Sequence, residues 1–404
     1  MPAPLETPSG AVLAALYLGR LQSALRTASQ GCLQILALRV ARECLIAALR
    51  QEGHAFTEQR FHEWFAGLKT LSDLPQHRLR PAKAICQAIL TEFLHSSWPL
   101  LADAAEKIQR AFLAPSDVPD AMTSPSPSPT AAHAEINEII EEAHKLLAAI
   151  PVEAEDLPFN AISALLLAVG ASTRFSQQER GYELLDAGSG RIAREADTPT
   201  NCRWALDLLV GTRLASDWAS PLGRLPLPLP LPGFLALPGH GLCNQDPSDD
   251  DLWDTQRRLQ QQSTDALRSA FWQLEQWLCE AERRASTIAE RSAGRRSTGR
   301  SGPVLGMLAG FGAMRGRQIE LVLGASRLGV RTILTTIAES GQLATEAAHN
   351  RTMVYRYAEC PPKAPAPQPN DESFAFSQQS LDEFEASMTA LDALLHKGPP
   401  PTRD

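Results

Sequence analysis

The run from Asp251 to Ser292 contains no Pro and no Gly, in a chain that carries 30 prolines and 25 glycines. Nothing in it breaks a helix. Leu267, Phe271, Leu274, Leu278 and Ala281 recur at alternating four and three spacing, the period of a long helix with one apolar seam. Ser248 to Asp251 (SDDD) precedes it, supplying a cap and acidic residues that suit a helix start. The seam must be buried somewhere. Its partner is either a second copy of the chain, giving a homodimer through helix 251–292, or other helices of the same chain, which is the preferred reading.

The same periodicity recurs throughout. Ala14, Leu18, Leu21 and Leu25 form one stripe, and Ile35, Leu36, Val40, Leu45 and Leu49 another. Thr57 reads as the cap of a short helix holding Phe61, Trp64 and Phe65, while Pro81 and Pro99 open two more. The expected class is mainly α: a multi-helix N-terminal body, a long connecting helix and a C-terminal winged helix-turn-helix with a small β-wing. Composition shifts suggest five segments. These are a helical domain over 1–120, a Ser-Pro linker over 121–134 (with TSPSPSPT inside it) and a second helical region over 135–292. Then come the winged module over 293–360 and a Pro-rich linker with a last helix over 361–404. Within the second region, the Pro-Leu-rich stretch from Pro221 to His240 reads as a rigid packed connector.

Seven scattered cysteines, none in a Cys-x-x-Cys pair, suggest reduced thiols and a cytoplasmic protein. No leader is visible at the N-terminus, and no uncharged apolar stretch is long enough to span a bilayer, so no membrane is expected. The net charge of −8 argues weakly against nucleic acid. Its distribution argues the other way. From Ala281 to Cys360 twelve arginines face six glutamates, with no lysine or aspartate, which is the footprint of a localised phosphate-binding face.

That basic stretch carries the chain's most informative pattern. Pro303 suits a first helical turn, and Val304, Leu305, Leu308 and Phe311 follow on one side. A second helix over about 317–323 presents Ile319, Val322 and Leu323. Gly324 permits a tight turn, Ser326 can cap a third helix, and Val330, Leu334 and Ile337 give that helix a buried face ending at Gly341. This is the layout of a helix-turn-helix, whose second helix enters the major groove of double-stranded DNA. The residues expected at the DNA are Ser326, Arg327, Leu328, Arg331, Thr332 and Thr335. Arg can bond guanine O6 and N7, and Leu or Thr can touch the thymine methyl. Thr352 to Tyr357 reads as a strand of a wing, with Arg351 at its tip and Arg356 on the strand. A basic hinge bears Arg295, Arg296 and Arg300. Two residues count against this frame: Glu320, where a small residue is expected, and Gly329 inside the recognition helix. A rival frame puts the turn at Gly329.

The segments RRSTGRSGPVLGML, VLGAS and RTMVYRY, between Arg295 and Tyr357, resemble the C-terminal part of a family of uncharacterised proteobacterial helix-turn-helix proteins. These are often plasmid-borne and share their layout with Fic-domain proteins. Ala47 to Leu68 (AALRQEGHAFTEQRFHEWFAGL) is similar to the helical entry of the same group. The resemblance implies a helical body with a DNA-binding tail. The Fic signature His-Pro-Phe-x-x-Gly-Asn-Gly-Arg is absent, and His240-Gly241 lacks the glycine-rich cradle, so nucleotidyl transfer is not implied.

Other chemistry fits poorly. No phosphate-cradling Gly-rich loop occurs, and Gly188 to Ile192 (GSGRI) reads as a turn. Glu92-x-x-His95 and Glu141-x-x-His144 lie on separate expected helices and evoke a di-metal bundle. However, Glu141 and His144 fall off the stripe of Ile136, Ile140, Ala143 and Leu147. No metal, no cofactor and no enzymatic activity are expected. The expected function is DNA binding by a transcriptional regulator or DNA-organising, nucleoid-associated factor. The alternative is a structural protein that docks an unknown protein partner through the winged helix and the long helix.

Overall fold

The computed structural model describes residues 10–71, 80–114, 129–151, 157–176, 182–187, 190–195, 201–235, 249–292, 300–348 and 352–359. Arg295, Arg296, Arg351, the Ser-Pro run over 121–128 and the expected segment 361–404 lie outside them. The chain is mainly helical. Its N-terminal helices are α1 (Gly10–Thr27), α2 (Gln30–Gln51), α3 (Glu58–Phe65), α4 (Ala82–Leu94) and α5 (Pro99–Arg110). Then follow α6 (Pro129–Ala149), α7 (Phe159–Ala171), the hairpin β1 (Tyr182–Ala187) and β2 (Gly190–Glu195), α8 (Trp204–Ser216) and α9 (Asp249–Ser292). The last elements are α10 (Ser301–Gly310), β3 (Met314–Arg315), α11 (Gly316–Leu323), α12 (Arg327–Glu339), β4 (Leu343–Ala347) and β5 (Met353–Tyr357).

Helix α2 is the hub. The Ser29 hydroxyl caps it by accepting from the Cys32 N–H. It is buried on most sides, from Cys32 through Ile35, Leu36, Val40 and Leu45 to Leu49, because α4, α5, α8, α9 and α10 all pack against it. Each fully buried Leu or Ile contributes about 1.5–3 kcal/mol of transfer free energy.

The Pro- and Gly-free run does form one continuous helix. It lies parallel to α1, with the Arg20 guanidinium 2.6 Å from Glu275, and it also packs on α2, α7 and α10. Its seam residues Leu267, Phe271, Leu274, Leu278 and Ala281 are all buried within this chain. The seam expected on 251–292 therefore faces the chain's own helices, while Trp272 of the same helix is 45 % exposed.

The 121–134 segment does not divide two cores. Ile136, Ile139, Ala143 and Leu147 of α6 join the same apolar cluster as α2 and α4, and α6 packs on both α4 and α8. All described residues belong to one compact unit, Met1–Glu359. The Pro-Leu connector is packed from Leu225 to Leu235, with Leu225, Leu229, Leu231, Phe234 and Leu235 buried, while Leu222 is exposed and 236–240 lie outside the described residues. Asp207 of α8 holds it in place. The Asp207 carboxylate accepts from the Gly233 and Leu235 N–H groups (3.0 and 2.9 Å) and from Gln51 Nε2 (2.9 Å). Of Gly188 to Ile192, expected as a turn, Gly190 to Ile192 begin strand β2, which pairs antiparallel with β1, and 188–189 lie outside the described residues.

An aromatic cluster joins the C-terminal elements to the body. Phe65 of α3 stacks on Phe112 at 4.5 Å and meets Phe311, just after α10, at 4.9 Å. Among the described residues no single helix is long and apolar enough to cross a membrane.

Candidate nucleic-acid interface

Residues 301–357 fold as helix α10, strand β3, helices α11 and α12, and the hairpin β4–β5. The three strands form an antiparallel sheet in the order β3-β5-β4. Met314 pairs with Tyr355 and Arg315 with Val354; Leu343 pairs with Tyr357 and Ala347 with Met353. Helix α10 is the element shared with the body. Val304, Leu305, Met307 and Leu308 are buried in it. Gly310 lies so close to α2 that a Cβ there would come within 2.6 Å of the Ile35 carbonyl oxygen.

Helices α11 and α12 meet at 110°, within the usual range for a helix-turn-helix. The turn lies at Gly324, which takes the left-handed conformation (φ 57°) that a residue with a Cβ rarely adopts. Ser326 then caps α12 by accepting from the Gly329 N–H at 3.3 Å. The turn is at Gly324, so the rival frame at Gly329 does not apply. Val330, Leu334 and Ile337 are the buried stripe, and α12 ends with Gly341 left-handed (φ 71°). Glu320 is mostly enclosed, and its carboxylate is met by Arg317 Nη1 at 3.0 Å, which offsets the cost of burying it there.

The outer surface of α12 separates into two faces. Ser326, Arg327, Arg331 and Thr335 line a groove of about 1090 Å³ between α12 and the hairpin. Arg315, Arg317 and Glu320 line it from the start of α11, and Thr345, Met353 and Tyr355 from the hairpin. Leu328 and Thr332 lie outside the groove on the solvent face, where Leu328 is 74 % exposed. Thr332 and Thr335 donate their hydroxyls to the carbonyls of Leu328 and Arg331 (3.1 and 3.0 Å), so the methyl groups and the remaining lone pairs face outward. Among the described residues neither Arg327 nor Arg331 has a salt-bridge partner, and both are exposed.

The structure places the remaining expected residues elsewhere. Arg300 is exposed immediately before α10. Arg356 lies on the face of the sheet opposite the groove, because side chains alternate along β5 and Met353 and Tyr355 take the groove side. It faces the body, 3.7 Å from Glu346, whose carboxylate also accepts from Gln59 Nε2 of the body at 3.3 Å. Behind it lies a charged seam. Glu58 is held down to about 2 by the His62 ring and the Arg42 and Arg356 charges, against the opposing effect of burial. Burial lowers the pKa of His62. Arg315 and Arg317, with no role assigned from the sequence, belong to the groove. Arg315 borders the groove at the start of α11, while its pairing with Val354 puts its side chain on the same face of the sheet as Val354 and Arg356.

The metal alternative gains one contact and no site. Glu92 and His144 do meet, Nε2 to Oε1 at 3.1 Å, at the surface. His95 is engaged with the Thr91 carbonyl instead. Among the described residues no group of three or more His, Cys, Asp or Glu is arranged to hold a metal.

No protein-family model matches the chain, and no curated protein matches it.

Proposed function

We propose that residues 301–357 are a winged helix and that the chain binds double-stranded DNA through it, as a transcriptional regulator or DNA-organising protein of the nucleoid. The observation that carries this reading is the pair Arg327 and Arg331. Both stand exposed and, among the described residues, without a carboxylate partner on the groove side of a helix held at 110° to its neighbour. In that geometry α12 enters the major groove from its N-terminal end, where Arg327 reaches base edges and Arg331 reaches an edge or a phosphate. Leu328 and the Thr332 methyl group supply apolar contacts to thymine methyls. The helical body acts as a rigid mount, and nothing in this reading requires an enzymatic step.

The experiment is a gel shift with mixed-sequence duplex at low and high salt. The Arg327→Ala, Arg331→Ala double variant should lose about tenfold or more in affinity and show a shallower salt dependence. Unchanged affinity would remove α12 from the interface.

One observation favours a second reading, in which the module docks another protein. Leu328 and Met353 are large apolar side chains with 74 % and 40 % exposure, more apolar surface than phosphate contact requires. Co-purification of a stable partner, lost on Leu328→Asp, together with absence of duplex binding, would select that reading.

A further inference from the structure

Behind the sheet, His62 of α3 is buried where the body meets the C-terminal elements. Its ring is met edge-on by Phe61 and Phe311, at 5.4 and 5.7 Å. Gly312 closes another side. A Cβ there would come within 2.8 Å of His62 Cε1 and Nε2, and its φ of 107° also favours glycine. Among the described residues neither ring nitrogen has a hydrogen-bond partner. The Glu58 carboxylate stands 3.6 Å from Nε2.

The charged groups of this seam come from α2, α3 and all three strands. Arg42 of α2 bridges Glu43 at 2.5 Å, Glu58 at 3.2 Å and the Phe311 carbonyl at 3.4 Å. Arg356 of β5 lies 3.7 Å from Glu346 of β4, and Arg315 of β3 shares its face of the sheet. While His62 is neutral, three guanidiniums (Arg42, Arg315 and Arg356) stand against three carboxylates (Glu43, Glu58 and Glu346). A proton on His62 adds a fourth cation, shielded from water and with no acceptor at hydrogen-bond distance. Burial and the Arg42 and Arg356 charges accordingly lower its pKa, over the opposing pull of Glu58. A ring released to water regains the ordinary value of about 6.5. The closed seam therefore favours the neutral ring, and an open seam takes up the proton.

We infer that His62 makes this seam a pH-sensitive latch: the neutral ring lets α3 close against the β4–β5 hairpin, and its protonation in mild acid parts the two. Closure is at full strength above about pH 6.5 and weakens as pH falls below it, because the folded value lies under the open one. Glu58, held down to about 2, stays ionised throughout and adds nothing to the change. The hairpin also forms one wall of the groove, so opening the seam shifts that wall. The latch is a property of the chain alone and stands whether or not the groove holds duplex.

The test is amide hydrogen exchange of the full chain, without DNA, at about pH 7.5 and about pH 5.5, corrected for the intrinsic pH dependence of exchange. In the wild type the opening of β4 and β5 should rise by up to about tenfold at the lower pH, while the amides of α2 show no such rise. His62→Gln and His62→Phe, neutral at both pH values, should remove the rise. Arg356→Gln takes away one repelling charge and should reduce it, which keeps the latch testable should both His62 variants fail to fold. No rise in the wild type, an equal rise in the His62 variants, or an undiminished rise in Arg356→Gln would overturn the latch. A rise shared equally by α2 would also overturn it, as unfolding of the whole chain.

Discussion

The arginines of α9 and those of α12 belong to the same basic stretch of sequence and stand in opposite situations. On α9, Arg283 pairs with Glu359 at 2.9 Å. Arg284 bridges Glu280, Glu359 and the Ala309 carbonyl, with its guanidinium over the Tyr357 ring. Arg291 donates to the Ser340 carbonyl at the end of α12, where a cation suits the helix dipole. All three hold the C-terminal elements on the body. On α12, Arg327 and Arg331 hold nothing within the described chain. One set of charges is committed to the fold, and the other has no carboxylate partner among the described residues. A count of arginines cannot separate the two; partner geometry can.

The difference can be broken from the paired side first. Glu52 is almost fully buried and accepts from Arg80 Nη1 at 2.9 Å and Trp204 Nε1 at 2.6 Å. Glu52→Ala removes one of the two carboxylates on Arg80 and leaves the Trp204 indole N–H without this acceptor, so denaturant unfolding should show a loss of about 1–3 kcal/mol. A loss below about 1 kcal/mol would mean that the committed arginines matter no more than surface ones.

Asp207 is the carboxylate counterpart, buried with neutral hydrogen-bond donors and with the Arg203 charge nearby. Burial pushes it up to about 7, against the hydrogen bonds from Gln51, Leu235 and Gly233. Its folded pKa lies above the unfolded value of about 3.9, so the native state holds the extra proton in between. Stability from this group should therefore fall as pH rises from about 4 to about 7, on the order of a few kcal/mol. Unfolding midpoints across that range should show the slope in wild type and not in Asp207→Asn. Parallel profiles would assign the slope to other groups.

Gly310→Ala drives a methyl group against α2, where α10 seats the basic module. It should cost about 1–3 kcal/mol in thermal unfolding. The smallest effect is expected at the uncommitted residues. Arg327→Ala, Arg331→Ala should change stability by less than about 0.5 kcal/mol, and a larger loss would mean that they are structural.

Local signals in the sequence located most of the module. The Val330, Leu334 and Ile337 stripe, the turn glycine at 324 and the Ser326 cap each depend on neighbours within a few residues, and each is found where expected. What escaped depends on pairing at a distance. The two-residue strand β3 has no pattern of its own, so nothing local marks Arg315 as a border of the groove. For Arg356, expected on the DNA side, alternation fixes two faces without saying which one meets the body; the register with β4 and the contact of Gln59 with Glu346 decide it. Periodicity likewise showed that α9 buries a seam and could not say against what.

The contrast between committed and uncommitted arginines is tested most directly by thermal unfolding of the full chain with and without mixed-sequence duplex at low salt. A ligand that binds only the folded state raises its stability. The wild-type midpoint should rise with duplex concentration, while Arg327→Ala, Arg331→Ala, with the same midpoint in the absence of DNA, should show little or no rise. Equal rises in both proteins, or none in the wild type, would contradict the assignment of these arginines to an external polyanion.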